Sequence, residues 1–187
     1  MQKRYSENKG VFQVAVSSNK RISGGFYRLG LELSADGADA FAKTQPGQFA
    51  ELDLRNTAVP PISSIPEELA DASRRDILLR RPFSFCDVTT QNNKTLVDIL
   101  YCVLGPATLR MTTLSAGDSV SVIGPLGNGF GVPKNKKAAL LVAGGMGTPP
   151  LLHLAKVLTT DYSDIKVIAF AGAKTKKELL FEKELAE

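Results

Sequence analysis

Over residues 10–130 apolar, β-prone side chains gather in short runs with Gly, Pro, Asn and Asp between them. This texture suits short β-strands. It predicts strands at Val11–Val16, Tyr27–Leu33, Gln48–Leu54, Phe83–Asp87, Thr95–Leu104 and Ser119–Ile123. Short strands separated by turn residues predict an antiparallel barrel or sandwich. Gln91-Asn92-Asn93-Lys94 reads as a hairpin turn, because Asn tolerates the left-handed backbone such a turn needs. Residues 106–116 read as a short helix, with Leu109 and Leu114 near one face and Gly117 at its end. Residues 55–75, with Pro60-Pro61, Ser63-Ser64 and Pro66, read as an exposed insertion carrying a short helix at Glu67–Ala72. Val132–Lys137 reads as a linker.

From residue 136 the rhythm changes to strand, glycine turn, helix, strand. The apolar run Ala138–Ala143 stops at Gly144-Gly145-Met146-Gly147, and a helix over 150–159 follows behind Pro149-Pro150. Lys166–Ala171 reads as the next strand and Lys176–Glu187 as a final polar helix. This is a βαβ unit, for which a right-handed crossover is expected. Its glycine turn brings backbone N–H groups to a helix N-terminus, where the partial positive charge suits a phosphate. The turn departs from the dinucleotide pattern G-x-G-x-x-G, because Pro150 stands at the third glycine position. Taken alone, a strand-to-helix turn with no ligand accounts for it equally well.

Composition narrows the field. Hydrophobic residues at 43% and charged residues at 22% describe an ordinary globular chain with room for one large or two small domains. The net charge of +4 is spread out, and the short pairs Arg74-Arg75 and Arg80-Arg81 lack interleaved aromatics, which argues against nucleic acid. No apolar run reaches the length of a membrane span, and Met1–Glu7 lacks the apolar core of a secretory signal. Two cysteines, Cys86 and Cys102, without metal-ligand spacing point to a reducing, cytoplasmic setting.

Candidate chemistry lies at three places in the β-rich part. Arg80-Arg81-Pro82-Phe83-Ser84-Phe85 opens a strand, and a guanidinium fork there matches a diphosphate. An arginine before a strand is also a common solvated edge. Leu100-Tyr101-Cys102-Val103-Leu104 ends a strand at Gly105, and Gly105-Pro106-Ala107-Thr108 then opens a helix, a second place for N–H groups to meet phosphate. Gly124-Pro125-Leu126-Gly127-Asn128-Gly129-Phe130 makes a close-approach loop at the junction of the two textures.

In this order, the Arg-x-x-Ser strand, the Gly-x-x-Thr turn, the Gly-Pro-Leu-Gly-Asn-Gly-Phe loop and the Gly-Gly-x-Gly-x-x-Pro turn resemble the ferredoxin-reductase superfamily. Pro46-Gly47-Gln48-Phe49 also matches it. Within the superfamily, Leu79–Ser84, Gly124–Phe130 and Leu140–Ala155 are most similar to the electron-transfer subunits of class B dihydroorotate dehydrogenase, a likeness that runs over nearly the whole chain.

The resemblance implies a six-stranded antiparallel FAD-binding β-barrel over 1–132, with 55–75 inserted, then a partial Rossmann-like NAD(P)-binding α/β domain over 136–187. It implies that Arg81 holds the FAD pyrophosphate, with Pro82 and Phe83 beside it and Ser84 near the flavin ring. Leu100, Tyr101 and Cys102 would line FAD, Ala107 and Thr108 would hold phosphate, and Gly144, Gly145, Gly147 and Thr148 would receive NAD(H). Two departures stand out: the family's Gly-Lys-Gly-Thr turn is Gly105-Pro106-Ala107-Thr108 here, and Cys102 stands where a basic residue is common. The family also carries a cysteine-rich tail that ligates a [2Fe–2S] cluster. This chain has no cysteine beyond 102, so no cluster and no metal site is expected in it, and it reads as truncated before that tail, with a naturally short form the alternative; its two-stranded sheet is left with an open edge and an uncovered face.

The implied role is electron transfer between FAD and NAD(H), coupled in pyrimidine biosynthesis to an FMN-containing catalytic dihydroorotate dehydrogenase subunit in a heterotetramer. Such chemistry belongs to the cofactors and needs no acid–base residue. His153 reads as a packed or solvated helix residue, and Lys174, Lys176 and Lys177 leave the choice between NADH and NADPH open. Two alternatives stay open: another ferredoxin–NAD(P)H reductase-like flavoprotein, or a redox-inactive barrel that binds a partner.

Overall fold

The structure, a computed structural model, describes residues 9–133 and 135–185. The N-terminal segment, Lys134 of the linker and the last two residues of the expected final helix lie outside the described residues.

Six strands close into a barrel: β1 (Gly10–Ser23), β2 (Phe26–Ser34), β3 (Phe49–Asp53), β4 (Arg81–Gln91), β5 (Lys94–Cys102) and β6 (Ser119–Leu126). The order around it is β1-β2-β5-β4-β3-β6, and every neighbouring pair is antiparallel. Alternate residues along the strands face inward. Val14, Val16, Leu29, Leu31, Leu33, Leu52, Val97, Ile99, Val120 and Val122 all point into one core. The hairpin expected at Gln91–Lys94 is present: Asn92 and Asn93 take φ of 51° and 60°, as a tight turn between right-twisted strands demands.

Two short helices close the barrel ends. The first, α1 (Ala35–Phe41), has no counterpart in the sequence expectations. It holds one large apolar residue and a glycine, too little periodicity to signal a helix. Tertiary packing forms it: Phe41 is 1% exposed and meets Phe12 and Phe85 edge-on at 5.9 and 5.8 Å, while the Thr95 hydroxyl donates to the Ala38 carbonyl at 2.9 Å. Residues 106–116 are helical only over α3 (Pro106–Met111). The chain then turns, because Asn19 Nδ2 takes the carbonyls of Met111 and Leu114 at 2.8 and 2.9 Å and so caps the segment from β1. The inserted segment carries the expected short helix as a tight turn at Glu67–Leu69 followed by α2 (Ala70–Ser73), packed against α3.

Beyond the barrel, β7 (Ala138–Gly144) and β8 (Lys166–Gly172) pair in parallel around α4 (Thr148–Asp161). Leu141 packs with Leu154 and Leu158 of α4. On the other face Leu140 and Val142 remain 67% and 75% exposed. Another part of α4 meets the barrel, where Leu152 joins Cys86 and Leu100 and the Lys156 ammonium pairs with Asp87 at 2.6 Å.

The final polar helix does not form over the described residues. Only Lys176–Glu178 makes a helical turn. Phe181 then takes φ of 58°, and Leu180 and Phe181 bury against Leu100, Cys86 and Leu152. Burying two large apolar side chains outweighs helix propensity in a polar segment. Phe41→Ala is expected to cost about 3–5 kcal/mol of stability, measured by chemical denaturation; a loss below about 1 kcal/mol would show that α1 is not part of the cooperative core.

Candidate functional site

Strand β4 changes partners along its length. Arg81–Ser84 pair with β3, through Leu52↔Arg81 to Phe49↔Ser84. From Phe85↔Ile99 onward the strand pairs with β5, with a bulge before Asp87↔Asp98. Leu100–Cys102 of β5 pair only with β2. The two strands therefore diverge above Phe85 and Ile99. The facing backbone edges of Arg81–Ser84 and Leu100–Cys102 have no ladder partner in each other, and unpaired N–H and C=O groups of this kind call for another partner.

The paired arginines do different work. Arg80 donates through Nη1 to the Ser121 carbonyl and through Nη2 to the Ser121 hydroxyl, both at 2.9 Å, and lies 3.5 Å from Asp53. The Arg55 guanidinium on the same carboxylate, with Arg80 behind it, holds the Asp53 carboxyl at about 2. Arg81 is exposed, makes only long contacts at 3.3 Å to the carbonyls of Leu79 and Arg80, and has no carboxylate partner among the described residues. Arg81 is thus the free cation at the head of the divergence, and Arg80 is the pin that fixes it.

The other expected residues divide by orientation. Phe83 turns inward against the core, which puts Ser84, partly exposed, on the opposite face. Tyr101 is 1% exposed; its ring stacks on Tyr27 at 5.3 Å and its hydroxyl donates to Asn19 at 3.1 Å, so only its backbone faces the divergence. The Leu100 side chain is buried under Leu152, Leu180 and Phe181. Cys102 is partly buried, and burial raises its thiol, as it pushes Cys86 up to about 12. Neither is a ready thiolate, and no group of His, Cys, Asp and Glu among the described residues is arranged for a metal ion.

At α3 the Thr108 hydroxyl accepts the N–H groups of Leu104 and Gly105 at 3.0 and 3.2 Å. Leu109 N–H bonds the Gly105 carbonyl at 2.9 Å, and Pro106 has no N–H. This accounting leaves the N–H groups of Ala107 and Thr108 without an intrahelical acceptor. The glycine turn differs from expectation. Helix α4 begins at Thr148, and its first turn contains both prolines. Thr148 N–H already bonds the Gly145 carbonyl, so free donors belong to the turn before the helix and not to the helix itself. Gly145 has φ of 51°, a left-handed value that glycine takes without strain. A Cβ on Gly147 would meet nothing within 4 Å, so the turn is open to a ligand. It lies against β5. His153 is packed, 4% exposed, with Nδ1 unpartnered, and burial lowers its pKa.

Two other motifs form a structural clasp. Gln48 Nε2 donates to the Gly127 carbonyl at 3.1 Å, and Phe130 N–H to the Pro46 carbonyl at 2.8 Å. Sequence reasoning did not single out Arg80 over Arg81 or find Asn19, since their partners lie 41 and more than 80 residues away.

This barrel followed by a parallel βαβ unit is the fold of ferredoxin-reductase-like FAD/NAD-binding proteins. The reduced ferredoxin–NADP oxidoreductase structure described as NADH-dependent superposes with a TM-score of 0.69 at 22% identity, over 92% of this chain and 52% of that one. Phthalate dioxygenase reductase superposes at 0.68 and 19%, over 95% and 48%. In sequence, the dihydroorotate dehydrogenase B (NAD(+)) electron transfer subunit of Geobacillus kaustophilus is 34% identical over 177 residues, 93% of this chain and 59% of that protein. The Listeria innocua subunit is 38% identical over 140 residues, 73% and 53%. Over the span it shares with them, the chain is a homologue of these electron-transfer subunits, and it spans a little over half their length. No family model matches it. No helix among the described residues is long and apolar enough to cross a membrane.

Arg80→Ala is expected to lower stability by about 1–3 kcal/mol, and Arg81→Ala by less than about 0.5 kcal/mol. Thermal melts of the two variants check this, and equal losses would remove the distinction between pin and free cation.

Proposed function

We propose that residues 1–132 form an FAD-binding domain and residues 136–187 the first part of an NAD(P)-binding domain. Together they act as a cytoplasmic electron-transfer flavoprotein that exchanges electrons between NAD(H) and a catalytic dihydroorotate dehydrogenase subunit in a heterotetramer. The observation that carries this reading is the divergence of β4 from β5 with the free Arg81 at its head. The donor set fits FAD: a guanidinium fork for a diphosphate, two spare N–H groups at Ala107 and Thr108, a hydroxyl at Ser84, and unpaired backbone along Leu100–Cys102 for a ring edge. Bound FAD supplies a two-electron acceptor that hands electrons on singly.

The protein's own contribution is placement. Arg80 fixes the strand from which Arg81 reaches the diphosphate. Ser84 orients the flavin edge. The Gly144–Thr148 turn, lying against β5, would hold the pyrophosphate of NADH. No side chain is required to move a proton, in keeping with His153 being buried and packed.

Arg81→Ala is expected to weaken FAD binding by about 1.5–3 kcal/mol, read from flavin fluorescence quenching on titration; equal affinity in variant and parent would sink the assignment of Arg81. Gly147 has ordinary helical φ and open space around it, so Gly147→Val folds and retains FAD. It is expected to slow flavin reduction by NADH at least tenfold in the full-length protein, followed by bleaching of the flavin band. Reduction at the parent rate would make the turn purely structural.

A further inference from the structure

We propose that Arg110 is a positioning residue that stores a buried positive charge beneath the diphosphate end of the flavin site, at a cost to the cofactor-free protein. The inference rests on the flavin reading above. Arg110 lies in the last turn of α3 and is 8% exposed. Its Nη2 donates to the Arg75 carbonyl at 3.0 Å, its Nε has no partner, and no carboxylate pairs with it among the described residues. The other arginines nearby are matched differently: Arg55 and Arg80 share Asp53, and Arg75 pairs with Asp71. A desolvated guanidinium with a bare donor and no counter-anion destabilises a fold, and an apolar side chain of similar size packs there at less cost. Such a breach of local rules is expected where function requires it.

The location explains what the charge is for. A helical side chain runs back toward the N-terminus of its helix, so Arg110 lies along α3 toward the turn that leaves Ala107 and Thr108 N–H free. Its single bond grips the chain six residues before Arg81, and that segment then passes through buried Ile77 into β4. Arg110 therefore ties together the two pieces of protein that flank the diphosphate, α3 and the run into Arg81. A charge held in low dielectric at that junction attracts a dianion more strongly than one in water. Because the grip is on the Arg75 carbonyl, the inserted segment 55–75 becomes part of the cofactor site: α2 packs on α3, and the Thr113 hydroxyl donates to the Ala58 carbonyl at 3.3 Å.

The test compares Arg110→Met and Arg110→Lys with the parent, using FAD-stripped protein. Arg110→Met is expected to melt at or above the parent temperature without FAD, yet to bind FAD at least tenfold more weakly. Its FAD affinity should also fall less steeply with added salt than the parent's. Arg110→Lys, which keeps the charge, should bind FAD more tightly than Arg110→Met. A cofactor-free Arg110→Met that melts below the parent, unchanged FAD affinity, an unchanged salt slope, or equal losses in both variants would each overturn the inference. A parent chain that takes up no FAD would instead overturn the flavin reading itself.

Discussion

The site depends on one constraint: a strand can pair with only two neighbours, and β4 pairs with β3 at its head and with β5 along its body. To leave β5 at Phe85 without unravelling, the head of β4 must be held from the other side. Arg80 does this, reaching across β3 to Ser121 of β6 and to Asp53. The bonds are charge-assisted and largely shielded, the condition under which a guanidinium contributes more than a surface ion pair. With that pin in place, Arg81 is spared any structural duty and the backbone edge of Leu100–Cys102 is left without a ladder partner in β4.

The rest of the barrel serves to keep that opening where it is. Helices α1 and α3 plug its ends with Phe41 and Met111, both at most 1% exposed. Asn19 joins β1, β5 and the end of α3 through three hydrogen bonds. The clasp between Gln48, Gly127, Pro46 and Phe130 ties the head of β3 to the chain leaving β6. Gly127, at φ of 77°, lies so close to the Phe49 ring that a Cβ would stand 2.9 Å from it, which is why this loop is built from small residues.

Attachment of the βαβ unit follows a different logic. Helix α4 is shared between two apolar surfaces: Leu154 and Leu158 serve the parallel pair, and Leu152 serves the barrel beside Cys86 and Leu100. Lys156 and Asp87 add an ion pair across the same contact. One helix thereby sets where the glycine turn stands relative to β5, and so where a nucleotide bound there would meet a flavin. The face carrying Leu140 and Val142 has no such cover among the described residues, whereas a parallel sheet normally has helices on both sides.

What the sequence determined by itself was local. Short β-prone runs between turn residues located all six barrel strands, Asn92-Asn93 the hairpin, and the glycine turn the start of the βαβ unit, because strand preference and backbone freedom act over a few residues. The same residues marked the candidate site as a set of motifs in order. Tertiary structure alone decided which member of each motif is free to act. The Arg-x-x-Ser motif pointed to Arg81, but only the register against β3 and β6 makes Arg80 a pin and leaves Arg81 a free cation. Tyr101 and Leu100 belong to a candidate strand, yet their side chains are committed to the core and to α4. Helix α1 exists because Phe41 fills the barrel end, and the expected final helix yields because Leu180 and Phe181 find a buried place. Each of these outcomes turns on contacts between residues far apart in the chain, where the free energy of burial exceeds any local propensity.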